Sequence, residues 1–318
     1  MTLLRQFAGV RISTTALIFG LAFAAVTAQA EVKLTLKNSF IFKYKNRATI
    51  EANCVVDESK GKANAPSKDG DMHVAVRCSD EIALPLVAEL MNAKDHQDVI
   101  AATVAAKESG DAVQIAGAWR IWNEHGGDNT VFVQGKPVGK ATTTNPDHVF
   151  EIHPITRFGD SPVLESFKTI DGYAPKEPDA AFTAYENTRA SIKRGTSTTT
   201  ITSNGVGYNY VKFQMELAER PFSVQDGSFA FAKVRDWEGE LLLRKKRMVF
   251  VKDTPPEIAV RDARQGDCFR VLGIPRLDLA LVSWRTQQAA AGRTEVLGWN
   301  LPYEIIVVGL YDSACERD

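Results

Sequence analysis

Five side chains in the first half of the chain have types and spacings that could do chemistry. The stretch NPDHVFEIHPITRF, residues 145–158, carries Glu151 and His153 two positions apart. DGDMHVAV, residues 69–76, carries Asp71 and His73 in the same relation, and LVAEL, residues 86–90, adds Glu89. Residues two apart in a strand share a face, so each pair projects to one side while Phe150 and Ile152, or Met72, Val74 and Val76, project to the other. Imidazoles beside carboxylates could hold a divalent metal. Glu151 or Glu89 could then act as base to a metal-bound water, the chemistry of a metal-dependent hydrolase. The same groups could equally pair with one another, fixing tautomers and strand register with no ligand. The chain has no HExxH spacing, nucleophile elbow, Walker loop or Rossmann glycine pattern, so no motif assigns a reaction.

The elements that must position these residues read mainly as strands. Segments 47–56, 72–78, 84–90, 112–122 and 149–156 alternate apolar with polar or β-branched residues, and 96–109 has helix formers at helical spacing. Three strands, a helix and two strands is the order of the OB-fold, a five-stranded Greek-key barrel. With a turn at 79–83, His73 falls opposite Glu89, and the third strand lies beside the fifth. His73, Glu89, Glu151 and His153, with Asp71, then form one row outside the barrel. On the fourth strand Trp119 and Ile121 point inward, leaving Arg120, Trp122 and Glu124 outside next to the long loop 126–147. That aromatic and charged group is a candidate ligand-binding platform, unless a helix or a second barrel covers Trp122. His148 differs in parity from His153 and reads as a loop residue. His125 sits at a turn where Gly126 and Gly127 permit a tight bend.

The second half repeats the first. SGDAVQIAGAWRIW at 109–122 and QGDCFRVLGIPRLD at 265–278 share Gly-Asp, five residues, Gly, two residues, Arg. Asp-Gly pairs at 69–70 and 226–227 precede them at nearly equal distances, each followed by a strand. A period of about 157 places Ser228 and Ala230 where Asp71 and His73 stand. Between the copies, Asp179 can cap a helix with Phe182, Tyr185, Arg189 and Ile192 on one stripe. Asn204 and Gly205 mark a hairpin opening the second copy. The expected architecture is mainly β: two tandem OB-like five-stranded barrels, the first containing a helix, over 31–158 and 207–318, joined by a helical connector at 159–206.

Residues 1–30 read as a secretory signal peptide: Arg5 and Arg11, a short apolar run from 16 to 26, and Ala28-Gln29-Ala30 at a cleavage point. Without those two arginines, 36 basic residues face 39 acidic ones, a formal charge of −3. That balance argues against nucleic-acid binding. No later apolar run is long enough to span a bilayer. The basic run RKKR, 244–247, reads as a solvated strand edge. Four cysteines in an exported chain suggest two disulfides with three connectivities. Cys54 with Cys78 and Cys268 with Cys315 keeps each bridge within one half.

DGDMHVAV, LVAEL and VFEIHPIT, in that order around a helix, resemble an uncharacterised family of exported bacterial proteins with OB-like barrels. The resemblance covers about residues 46–158 and implies that Asp71, His73, Glu151 and His153 are signature positions, without assigning them a role. The expected function is an exported, periplasmic or secreted, non-enzymatic binding or envelope-associated protein. The alternative is a metal-dependent hydrolase using His73, Glu89, Glu151 and His153.

Overall fold

The structure is a computed structural model that describes residues 31–79, 81–127, 131–207, 209–288 and 296–315; the expected leader lies outside them. The chain opens with β1 (Glu31–Lys37) and α1 (Asn38–Tyr44), then enters a barrel through β2 (Thr49–Ser59), β3 (Met72–Cys78) and β4 (Leu86–Leu90). Helix α2 (Gln97–Ser109) follows and ends at Gly110, whose φ of 71° supplies the left-handed residue that closes a helix. Then come β5 (Ala112–Ile121), β6 (Val131–Val133), β7 (Phe150–Phe158) and the two-residue β8 (Ser161–Pro162). Strands β2, β3 and β4 pair antiparallel in turn, β4 closes on β7 in parallel, and β5 joins β7 back to β2. This is the expected OB-type barrel, with Phe150, Ile152, Met72, Val74, Val76 and Trp119 in its core.

After α3 (Pro178–Asn187), β9 (Arg189–Arg194) and β10 (Thr198–Asn204), a second barrel is built from β11 (Val211–Leu217), β12 (Phe222–Val224), β13 (Gly227–Arg235) and β14 (Leu241–Val251). It continues through α4 (Pro255–Val260) and β15 (Cys268–Leu277); the chain then passes through α5 (Leu279–Gln288) and β16 (Val296–Asn300), which lies outside this barrel, and returns to it in β17 (Tyr303–Leu310). Its pairing repeats the first barrel strand for strand: β11 with β13, β13 with β14, β14 parallel to β17, β17 with β15, and β15 with β11. The repeated glycine marks the same device in both copies. At Gly117 and Gly273 the pairing register shifts, and a Cβ would stand 2.6 Å from Ile155 Cα or 2.5 Å from Ile305 Cγ2. A bulge that brings the neighbouring strand this close leaves no room for a side chain.

Both expected disulfides are present, Cys54 with Cys78 between paired strands and Cys268 with Cys315. Several expectations are corrected. The connector helix stops at Asn187, and Arg189 and Ile192 lie in β9, where pairing with β10 and β16 outweighs the weak helical stripe. Asn204 and Gly205 end β10 rather than opening the second barrel. β10 instead joins β1, β6, β9 and β16 in a separate five-stranded sheet. The long loop after β5 therefore has structure: β6 docks on β1 in parallel. Along the run RKKR, β14 pairs with β13 alone, since β17 joins only at Met248 and Val249, and Arg244 and Lys245 are exposed as a solvated edge requires, but Arg247 is buried. The repeat register also slips by one. His73 opposes Glu89 and Phe229 opposes Val249, so it is Phe229, not Ala230, that stands where His73 does. In the second copy the tight β12–β13 turn makes Gly227 already a paired strand residue, whereas Gly70 lies before β3.

Candidate functional site

The two barrels meet along β5 and β15, and the residues that alternate outward from each barrel form a second apolar cluster between them. It includes Ala48, Met91, Ala118, Tyr210, Phe229, Val249, Leu272, Ile274 and Ile306. At its centre stand the two arginines that the repeat aligns, each fully buried. Arg120 Nε donates to the carbonyl of Pro275 at 2.9 Å, and Arg276 donates reciprocally to the carbonyl of Trp119 at 3.0 Å. Each also holds the glutamate facing it on the next strand: Arg120 with Glu151 at 2.6 and 2.7 Å, and Arg276 with Glu304 at 2.8 Å. The barrels thus share one interface motif used twice, in a two-fold-like arrangement.

The expected row does converge. His73 Nε2 lies 3.5 Å from Glu89, and His153 Nδ1 lies 3.4 Å from Glu89 and 3.3 Å from Glu151, as sequence parity required. Strand parity puts the row outside the first barrel without saying what it faces there, and in the structure it is enclosed: His153 and Asp71 are fully buried, Glu89 and Glu151 nearly so, and only His73 is partly open. The cover is the second barrel: Tyr210, just before β11, donates its hydroxyl to Asp71 at 2.6 Å and sits 2.8 Å from His153 Nε2. Since the phenol proton goes to Asp71, the Tyr210 oxygen accepts from His153 Nε2–H. His153 Nδ1 then faces two carboxylates, which an imidazolium satisfies.

The electrostatics agree with that assignment. Burial alone would pull the His153 pKa down, but Glu89, Asp71 and Glu151 outweigh it and hold it well above the ordinary imidazole value. Burial pushes Asp71 up to about 6 against the pull of His153. It would also raise Glu151, yet Arg120, His148 and His153 keep that carboxyl well below the usual range. In the second barrel burial pushes Glu304 up to about 7 despite Arg276 and Arg247.

The expected platform is also relocated. Trp122 is buried, with its ring edge-on to Tyr185 of α3 at 5.5 Å and to Tyr303 of β17 at 6.4 Å. A helix and the second barrel together cover it. Arg120 is spent on Glu151, on Pro275 and, at 2.9 Å, on Glu124, which alone of the three reaches partly toward solvent. His148, expected in a loop, precedes β7 and therefore escapes strand parity; it is fully buried, with Nε2 3.3 Å from Glu151.

Among the described residues, two groups bring ligand atoms close enough for a cation, Asp71 with Glu89 and His153, and His125 with His148 and Glu151. The expected set of His73, Glu89, Glu151 and His153 overlaps the first. Its central imidazole has both nitrogens committed, one to Tyr210 and one to the carboxylates. Sequence reasoning missed Tyr210 and the Arg276–Glu304–Arg247 counterpart, in which Arg247 lies 3.1 Å from Glu304. The repeat held the signal. Extending it from Arg120 and Arg276 to FEI at 150–152 and YEI at 303–305 pairs an arginine with a glutamate in each barrel.

Beyond the seam, a cleft of about 350 Å³ opens on the first barrel between β3, β4 and the segment after β6. Asp57, Arg77, Pro85, Lys140 and Thr142 line it. Asp57 is buried, its oxygens held by Arg77 Nε at 2.9–3.0 Å and by the amide of Ala141 at 2.9 Å. Compared with known proteins, the chain matches no family model and no curated sequence.

Proposed function

We propose that this is an exported, non-enzymatic binding protein of the envelope or extracellular space. In this reading the His–carboxylate row is a clasp that locks two barrels into one body, and the ligand seat is the cleft beside β3 and β4. The observation that carries it is the burial of the row under Tyr210. A hydrolytic metal needs an open coordination position that a substrate can reach, whereas the central imidazole here is enclosed and hydrogen-bonded on both sides. The cleft lies where strands two and three and the loop between strands four and five of an OB barrel meet, a surface suited to ligands. Arg77 and Lys140 stand there beside Asp57 and Asp147, which makes it a seat for a small polar group carrying both donors and acceptors. Export is supported by the leader-like composition of residues 1–30, the resemblance of the signature strands to exported proteins, and two disulfides. No described helix is long and apolar enough to cross a membrane.

The test compares the native chain with His153→Gln. The reading expects no chelator-sensitive hydrolysis of p-nitrophenyl esters or phosphates by the native protein, and a clearly lower Tm for the variant. Metal-dependent turnover by the native chain, abolished in His153→Gln with Tm unchanged, would favour the hydrolase instead.

A further inference from the structure

Glu151 has a second side, facing away from His153 toward the rim of the seam. There His148 Nε2 stands 3.3 Å from Glu151 Oε1, and His125 stacks on His148 with ring centroids 5.0 Å apart. The His125 imidazole is about one-third exposed and lies 3.9 Å from Glu124. We propose that His125, His148 and Glu151, with Glu124 at the edge, form a binding site for one divalent cation of the zinc class, open to solvent through His125.

Three observations carry this beyond proximity. His148 Nδ1 lies 2.7 Å from the carbonyl of Pro146, which can only accept, so Nδ1 bears a proton and Nε2, which faces Glu151 Oε1, is the nitrogen that a metal would take in place of a second proton. That nitrogen is buried and aimed at a carboxylate, an arrangement that requires a cation, either a proton on Nε2 or a metal. A backbone carbonyl holding the far nitrogen is also the usual support of a metal-bound histidine. Second, the ligands are already fixed. The amide of His148 donates to the carbonyl of His125 at 2.8 Å, Asp147 fills the space beside Gly127, and Arg120 grips both Glu151 and Glu124. Third, the dimensions suit the ion. Bonds of about 2.0 Å in a tetrahedron put ligand atoms about 3.3 Å apart, the separation His148 and Glu151 already have. The nitrogen offered by His125 is within 4.8 Å of both and sits on the exposed side, so it is the group that closes. By contrast the inner group of Asp71, Glu89 and His153 is sealed by the Tyr210 hydroxyl.

The site adjoins the ligand cleft, which Pro146 and Asp147 also line, but none of its ligand atoms belongs to the cleft, so it stands if that assignment fails. The test is titration of the whole, chelator-stripped protein with Co²⁺, read by its visible absorption, followed by displacement with Zn²⁺. One equivalent should bind with a tetrahedral-type spectrum, and Zn²⁺ should raise Tm. His125→Ala, a change at a partly exposed turn whose folding is checked by the Tm of the metal-free variant, should weaken binding by at least about tenfold, while His73→Ala leaves it unchanged. Absence of stoichiometric binding, or binding that survives His125→Ala and is lost in His73→Ala, overturns the proposal.

Discussion

Glu151 takes hydrogen bonds from Arg120 and faces two imidazoles, so its charge organises every cation around it. Glu151→Gln preserves the shape but leaves Arg120, His148 and His153 against a neutral amide. Removing one partner of a buried ion pair costs about 3–5 kcal/mol, and urea denaturation should show a loss of that size. The same groups set a pH dependence. A histidine with raised pKa contributes stability that is full below the unfolded value, 6.5, and lost as pH rises through the folded one. Asp71 at about 6 and Glu304 at about 7, both raised above their ordinary values by burial, act in the same direction at lower pH, the first between 3.8 and about 6 and the second between 4.5 and about 7. Glu151, held low, contributes above 4.5 and loses that only in strong acid. Tm should therefore fall as pH is raised above 6.5; calorimetry showing a flat or rising profile there would contradict the charge assignment.

Individual elements show why the sequence was readable in some places and opaque in others. Strand β3 and helix α2 emerge from periodicity because one face of each is apolar and the ends carry turn residues. Parity in β7 separates Phe150 and Ile152 from Glu151 and His153 correctly, since it depends only on the pleat. Parity cannot tell whether the outside of a barrel meets water or another barrel, so it leaves the surroundings of Trp122 and of the row open, and α3 and the second barrel turn out to supply them. The sheet joining β1 to β10 pairs residues more than 160 positions apart, such as Leu34 with Ile201, and nothing local encodes it. The bulge glycines offer a test at this scale. Gly117→Ala puts a methyl into the backbone of β7, and overpacking of that kind costs about 1–3 kcal/mol. Gly139→Ala, where the added Cβ meets nothing within 4 Å, should leave Tm within a degree or so of the native value.

At the scale of the whole molecule, one topology is used twice and its outward faces are joined through reciprocal arginines and a shared apolar seam. Asp226, in the turn before β13, accepts from the amide and hydroxyl of Thr49 at 2.9 and 2.8 Å, while Asp71, before β3, accepts from Tyr210. Each barrel thus anchors the entry strand of the other, and both should melt in a single transition. The disulfides close loops of 24 and 47 residues, and chain entropy gives each about 3–4 kcal/mol, so reduction should lower that one transition rather than split it. The most direct measurement is a double-mutant cycle across the seam, pairing His153→Gln in the first barrel with Tyr210→Phe before the second. If the row is a clasp, the two changes are coupled by about 1 kcal/mol or more. Losses that add to within about 0.5 kcal/mol would mean that the buried row does not hold the barrels together.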